Sequence, residues 1–243
     1  MAETRRRSLV TGAARGLGLG LCQALVERGD EVLAVCRTST PALDALGVEV
    51  IDGIELTSDE AVAKLPEAVG AGGVDLLFCN AGINIDAPDL RGIEVNALMK
   101  IYDVNALGAV RVVLSLLGRL NEGAKIILMG TGRNSLNLGA VPSTGNYGYR
   151  MSKSALVSFG GGIARDLRDH GVAVAIVDPG PVATDLLREV AGQGRTSYDP
   201  ADAPSAEEIG RKLVDRAEEL TLAESPSWQQ TPDGGRIVSL VEA

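Results

Sequence analysis

The chain reads as an α/β protein: a doubly wound sheet of seven mainly parallel strands with helices on both faces. Three observations predict this. Short apolar runs recur at 9–10, 32–36, 48–51, 76–79, 126–129, 172–177 and 237–240. Most are continuously apolar, as strands covered on both faces must be. Helix-length stretches lie between them, and strand–helix alternation builds a parallel sheet. The 243 residues are 45% apolar and 23% charged, which suffices for a large core and fits one domain over residues 1–243.

The first run leads into Thr11-Gly12-Ala13-Ala14-Arg15-Gly16-Leu17-Gly18, then a helix over 17–28 with Leu17, Leu21 and Leu25 on its apolar face, closed by Gly29. Glycines let the chain turn sharply and let an anion reach the helix N-terminus, where free N–H groups and the positive dipole end hold it. Three glycines within seven residues exceed the needs of a plain turn, so a dinucleotide is the expected ligand. The second run ends Ala34-Val35-Cys36-Arg37-Thr38. A carboxylate there would hold a ribose 2′-hydroxyl. This chain offers Cys36 and Arg37 instead, with Arg15 in the glycine loop. Two guanidinium groups suit a 2′-phosphate, which points to NADP(H).

A helix over 59–69 follows Thr57, with Glu60 completing a capping box. The next helix, 95–120, is long and apolar. Asn105 inside it suggests a buried polar task, with Asn96 as the competing candidate. A helix over 149–170, stopped by Gly171, sets Tyr149 and Lys153 on one face at i and i+4. A free tyrosine titrates near about pH 10, and a neighbouring ammonium lowers that value. Tyr149 can then exchange a proton near neutrality. Tyr147 lacks such a partner, because Met151 stands four residues on. Gly160-Gly161-Gly162 in this helix implies either close helix–helix approach or a kink. Ser205 and Glu208 read as a second capping box for a helix over 206–220, whose charged stretch 211–219 is a solvated face. Residues 192–204 are irregular, a lid or a surface loop.

Composition excludes several classes. With 23 basic against 32 acidic residues, net charge −9 and 3% aromatics, the chain lacks the footprint of a nucleic-acid binder. Arg5-Arg6-Arg7 reads as a solvated N-terminus. Cys22, Cys36 and Cys79 sit in apolar contexts, as buried free thiols. His170 is the one histidine and falls at a helix end, so no metal site is expected. No apolar stretch is read as long enough for a bilayer, and the polar N-terminus lacks a signal-peptide core, so a cytoplasmic protein is expected.

The spacing TGxxxGxG together with Tyr149-xxx-Lys153 resembles the single-domain short-chain dehydrogenase/reductase family, and the likeness runs through nearly the whole chain. Residues 75–82, Asp-Leu-Leu-Phe-Cys-Asn-Ala-Gly, resemble the family strand ending in NNAG, with Cys79 for its first Asn. Glu55-Leu56-Thr57 resembles the Asp-Val-Thr segment, and residues 178–184 resemble the PG stretch. The resemblance implies a Rossmann-type fold. Gly12, Arg15, Gly16, Leu17 and Gly18 would meet the cofactor phosphates. Glu55, Leu56, Asn80, Ala81 and Gly82 would line its adenosine side. Pro179, Gly180, a backbone group of Val182 and the Thr184 hydroxyl would hold the nicotinamide. It implies Tyr149 as proton donor and Lys153 as partner of the nicotinamide ribose. Asn105 would hold a relay water. Thr131 falls where the family has a serine hydroxyl, with Ser135 as rival. Residues 228–235 resemble the last strand and its approach.

The implied reaction is NADPH-dependent reduction of a ketone or aldehyde, or oxidation of the corresponding alcohol, by a homodimer or homotetramer. The alternatives are a nucleotide-sensing regulator, or dehydratase or epimerase chemistry. Substrate contacts are expected from 83–94, 133–146 and 186–204. Their Arg91, Arg133, Arg188 and Arg195 would suit an anionic group.

Overall fold

The computed structural model describes residues 5–131, 145–230 and 235–239. Eight strands form one sheet in the order β3-β2-β1-β4-β5-β6-β7-β8. They are β1 (Arg7–Thr11), β2 (Glu31–Val35), β3 (Glu49–Ile51), β4 (Val74–Cys79), β5 (Leu120–Met129), β6 (Ala173–Asp178), β7 (Ser227–Gln230) and β8 (Gly235–Ser239). The first seven run parallel and β8 returns antiparallel to β7. Sequence reading expects seven strands and takes 237–240 as the last. The additional one is β7, whose Ser-Trp-Gln-Gln lacks the continuous apolar run that marks the others.

Successive strand side chains point to opposite faces, so each inner strand feeds two cores. Leu9, Ile126, Leu128, Val174 and Ile176 belong to one. Val10, Ile127, Met129, Ala175 and Val177 belong to the other. The first core is covered by α4 (Leu65–Val69), α6 (Gly108–Leu116) and α7 (Tyr147–Asp166). The second is covered by α1 (Gly16–Glu27) and α9 (Ala206–Glu219). Helices α1 and α9 approach through glycines. A Cβ on Gly20 would stand 2.2 Å from the Ala206 carbonyl oxygen, and one on Gly210 would stand 2.4 Å from that of Gly20. Cys22, Cys36 and Cys79 are buried free thiols. Burial pushes Cys22 and Cys79 up to about 12.

Several expectations are corrected. The helix over 59–69 is two, α3 (Asp59–Val62) and α4, because Pro66 cannot continue a helix but can begin one. The cap is Ser58, which accepts from the Ala61 N–H at 3.2 Å, and not Thr57. Ser205 accepts from the Glu208 N–H at 3.1 Å as expected. The face of α9 is not only solvated, since Arg211 grips Glu27 of α1 with two bonds of 2.8 Å. The arginine run is not a free terminus either. Arg6 pairs with Asp30 and Glu218, and Arg7 donates to Glu31 and to the Val69 and Gly73 carbonyls. Helix α7 runs unbroken through Gly160, where a Cβ would stand 2.8 Å from Ile176 Cδ1. That glycine lets the helix lie close on the sheet; it is not a kink. His170 lies exposed in the 3₁₀ turn Arg168–His170.

The long helix is compound. It comprises α5 (Val95–Tyr102), a π turn (Asp103–Leu107), α6 and a 3₁₀ turn (Leu117–Arg119). Contrary to the sequence expectation, Val95–Arg119 is long and apolar enough to cross a membrane by length and composition, with mean hydropathy 1.4. Its apolar residues divide between the sheet and an outer face. Asn105 is buried in its middle, bonded to protein groups.

Two further α-helices lie among the described residues. These are α2 (Pro41–Asp44) and α8 (Asp185–Gly192).

Candidate active site

The neighbours of β1 are β2 on one side and β4 on the other, so the strand order reverses there and a crevice opens beyond the carboxyl ends. The glycine loop enters it. Gly12 and Gly16 adopt φ of +68° and +54°, conformations open to glycine at little cost. A Cβ on Gly12 would stand 2.9 Å from Ala81 Cα, and one on Gly18 would stand 2.1 Å from the Gly12 carbonyl oxygen. Both glycines therefore serve close packing of the chain on itself. Thr11, which sequence reading does not single out, ties the loop to β4. Its Oγ1 accepts from the Asn80 and Ala81 N–H groups at 3.0 and 3.2 Å. The Asn80 side chain donates to the Thr11 carbonyl at 2.9 Å, so it braces the loop.

Helix α1 begins at Arg15 with no side-chain cap and no acid in its first turn. Its positive end is not met by a carboxylate of that turn, which fits a pyrophosphate. Leu17 opens this helix, and Gly16 faces the Thr184 methyl group. The two arginines expected to clamp a 2′-phosphate each lie against a carboxylate. Arg15 is 3.6 Å from Asp185 and Arg37 is 3.4 Å from Glu55. Arg15, Asp185 and Arg37 are largely exposed and Glu55 is partly so, so both pairs are weak. Leu56 is buried, and its carbonyl accepts from Arg111 at 3.2 Å.

Beyond β6 the chain turns at Pro179 and Gly180, whose N–H donates to Asp178 at 3.0 Å. The Thr184 N–H and hydroxyl both donate to the Val182 carbonyl, at 2.7 and 3.2 Å. The same hydroxyl caps α8 by accepting from Leu187 N at 3.4 Å. In this arrangement Thr184 acts as a helix cap.

Lys153, Asn105 and Gly82 come together. A Cβ on Gly82 would stand 3.4 Å from Asn105 Oδ1 and 3.7 Å from Lys153 Nζ. Lys153 is buried, donates to the Met129 carbonyl at 2.7 Å, and holds its ammonium 5.6 Å from the centre of the Tyr149 ring. Burial lowers its pKa to about 8, opposed by Cys79 and Asp178. Asn105 accepts from Ile83 N at 2.8 Å and donates to Ile83 O at 2.9 Å and to Ser152 Oγ at 3.1 Å. Asn96 is exposed, so Asn105 is the interior one. The π turn carries Asn105. Ser152, missed by sequence reading, links Asn105 to the Tyr149 carbonyl, donating at 2.7 Å. Thr131 is buried two residues beyond β5. Its rival Ser135, like Arg133, lies outside the described residues.

Of the arginines expected to meet an anionic group, Arg188 and Arg195 have partners within the chain. Arg188 is exposed and pairs with Asp185. Arg91 is exposed. Arg195 is buried among amide oxygens. Sequence reading also missed Asn84, Asp86 and Asn146, which join Arg195 beside the start of α7. Only their polarity within otherwise loop-like stretches could have flagged them. Among the described residues, no cluster of three or more His, Cys, Asp or Glu could hold a metal ion.

Comparison with known proteins agrees with this fold. The short chain dehydrogenase family model matches residues 6–194. The chain is 33% identical over 187 residues to 1-hydroxy-2-glutathionyl-2-methyl-3-butene dehydrogenase of a Rhodococcus species, covering 76% of this chain and 81% of that one. It is 32% identical over 203 residues to the 3-oxoacyl-(acyl-carrier-protein) reductase MabA of Mycobacterium tuberculosis, covering 81% and 78%. A short chain dehydrogenase from Burkholderia cenocepacia, solved in complex with NADP, superposes with TM-score 0.76 at 25% identity over 95% of this chain and 97% of that one. On a family match that spans most of its length, and with relatives above 30% identity, this chain belongs to the short-chain dehydrogenase family of oxidoreductases.

Proposed function

We propose that the protein interconverts a ketone or aldehyde and the corresponding alcohol with NADP(H), using Tyr149 as the proton donor. The observation that carries this reading is the buried Lys153 ammonium beside the Tyr149 ring, with Asn105 behind it. When bound, the nicotinamide supplies or accepts the hydride. The chain's own residues manage the proton. The Lys153 ammonium favours the phenolate of Tyr149, so the tyrosine hydroxyl gives its proton more readily to a carbonyl oxygen. In the oxidative direction the phenolate takes the proton back. The Thr131 hydroxyl, two residues after β5, would donate a hydrogen bond to the same oxygen. Asn105 keeps a second lone pair on Oδ1, near Lys153 Nζ, for a relay water. Gly12, Gly16, Leu17 and Gly18 hold the phosphates. Gly82, Pro179, Gly180, Val182 and Thr184 shape the remaining walls.

Preference for the 2′-phosphate rests on Arg37 and Arg15. Their carboxylate partners are solvent-exposed, and a phosphate dianion competes well for a guanidinium. The NADP complex of the Burkholderia cenocepacia relative supports the choice. We further propose a homodimer or homotetramer formed through the outer face of α5, α6 and α7.

The test is consumption of NADPH and NADH by the purified protein against a panel of ketones and aldehydes, with Tyr149→Phe and Arg37→Asp alongside. NADPH turnover by the parent, its loss in Tyr149→Phe, and a much larger loss with NADPH than with NADH in Arg37→Asp are expected. Turnover that survives Tyr149→Phe refutes the proton donor. Equal loss with both cofactors refutes the phosphate clamp.

A further inference from the structure

Among the described residues, Arg195 is the largest side chain that is fully buried, at 1% exposure. It comes from the irregular segment after α8. Its Nη1 donates to Asn84 Oδ1 at 2.7 Å and to Asn146 Oδ1 at 2.8 Å. Its Nε donates to Gln193 at 2.8 Å. Asn146 returns a bond from Nδ2 to the Arg195 carbonyl at 2.9 Å, and Asn84 Nδ2 donates to Asn146 Oδ1 at 2.8 Å. Three distant stretches meet here: the loop after β4, the entry to α7 and the tail of α8. Burying a guanidinium is costly unless it is well bonded, and a fully bonded buried network favours one arrangement. The packing leaves no slack. A Cβ on Gly145 would stand 2.9 Å from the Ala87 carbonyl oxygen and 3.3 Å from Arg195 Cδ.

The entry to α7 explains what this network is for. Its N-cap residue, Asn146, is left-handed at φ 58° and ψ 31°, and its side chain makes no cap bond. An N-cap ordinarily has extended backbone, from which its side chain can reach the first-turn amides. Here the cap comes from another segment. Asp86, buried, accepts from Gly148 N at 2.9 Å and from Tyr149 N at 2.7 Å, one amide on each carboxylate oxygen. A carboxylate at a helix N-terminus also meets the positive dipole end. Asp86 and Glu189 both support the charge of Arg195 against the effect of burial.

We infer that Asp86 and Arg195 are positioning residues for Tyr149: the Asp86 carboxylate fixes the first turn of α7, and Arg195 locks the segment after α8 against that turn. The inference rests on the reading of Tyr149 as proton donor. The tyrosine lies in the first turn, where no preceding turn supplies acceptors for its amide. Without Asp86 that turn frays, and the hydroxyl at the end of a long side chain swings. Because Arg195 belongs to the segment after α8, the order of that segment and the aim of Tyr149 are one property.

The experiment compares Asp86→Asn, Arg195→Lys and Arg195→Gln with the parent. Readouts are kcat, KM, NADPH affinity and amide hydrogen exchange. Asp86→Asn is expected to lower kcat about 10- to 100-fold, the scale of a small misplacement, while NADPH affinity stays within about twofold. Exchange should quicken over residues 147–153 while β4 and β5 keep their protection. Arg195→Lys keeps the charge without the fork and is expected to fall between the parent and Arg195→Gln. Unchanged kcat and exchange in folded Asp86→Asn overturns the inference. So does exchange that quickens equally throughout the chain. If Asp86→Asn fails to fold, the two Arg195 variants carry the same test. If the parent turns over no carbonyl compound, the proposed reaction fails, and exchange confined to the first turn of α7 still decides the positioning separately.

Discussion

Lys153 is the residue on which most of the proposed chemistry converges. Burial lowers its pKa to about 8 from an ordinary 10.5. Between those values the unfolded chain binds more protons than the folded one, so stability rises with pH across that window. Cys22 and Cys79 act in the opposite sense. Raised from 9.0 to about 12, they keep their protons in the folded state, so their contribution falls above pH 9. The expected urea midpoint therefore climbs between about pH 8 and 9 and declines above about pH 9, and Lys153→Met flattens the climb. Denaturation at half-unit pH steps checks this. The sequence put Tyr149 and Lys153 on one helix face by their spacing and singled out Asn105 as a polar residue in an apolar helix; the structure sets Lys153 beside the Tyr149 ring and buries Asn105. The roles of Asp86 and Arg195 were not legible there. Their partners on other segments lie 49 to 111 residues away, and only the fold brings them together. The partners of Arg15 and Arg37 were equally hidden from the sequence. Residue type pointed to two guanidinium groups for a phosphate, and the fold sets a carboxylate from another segment against each of them.

Among the elements, the glycines of α7 separate two roles that look identical in sequence. Gly160 faces Ile176 and Leu128, with no room for a methyl group, whereas Gly161 and Gly162 have nothing within 4 Å. Gly160→Ala is expected to destabilise by about 1–3 kcal/mol through overpacking. Gly161→Ala and Gly162→Ala are expected to stabilise by about 0.5–1 kcal/mol, because alanine is the better helix former. Thermal melts of the three variants resolve the difference in sign. The strands and long helices were legible as apolar runs and periodic faces. The break between α3 and α4 was present in the sequence as Pro66, but the capping pattern around Thr57 suggested a single helix. Strand β7 was not legible from its own composition; only the resemblance of residues 228–235 to the family's last strand pointed to it, and its pairing with β6 comes from position in the sheet.

On the scale of the molecule, one outer face stands out. Val95, Met99, Leu114 and Met151 are each more than half exposed, around a groove lined by Tyr102, Val110, Ala155 and Phe159. Apolar patches of this kind on a folded chain mark contact surfaces. With the face supplied by α5, α6 and α7, a second copy of the chain is its proposed occupant. Met99→Glu combined with Leu114→Glu is expected to convert the oligomer to single chains by light scattering. A parent already at the single-chain mass contradicts the proposal. The overall architecture was the most legible level of all, since the order of strand and helix along the chain largely fixes a doubly wound sheet.

The π turn at Asp103–Leu107 adds a constraint of a different kind. Counted against regular winding, the helix holds one residue too many, and that surplus sets the angle between its two halves. Ile101 before it points into the core, and Ala109 and Val112 after it do the same, with Asn105 turned inward between them. Removing a single residue there would restore regular winding and rotate one half by about 100° against the other. Either Ile101 would leave the interior or Asn105 would lose its hold on Ile83. In this helix the number of residues is therefore as restrictive as their identity, and a deletion that changes no side chain would undo the site.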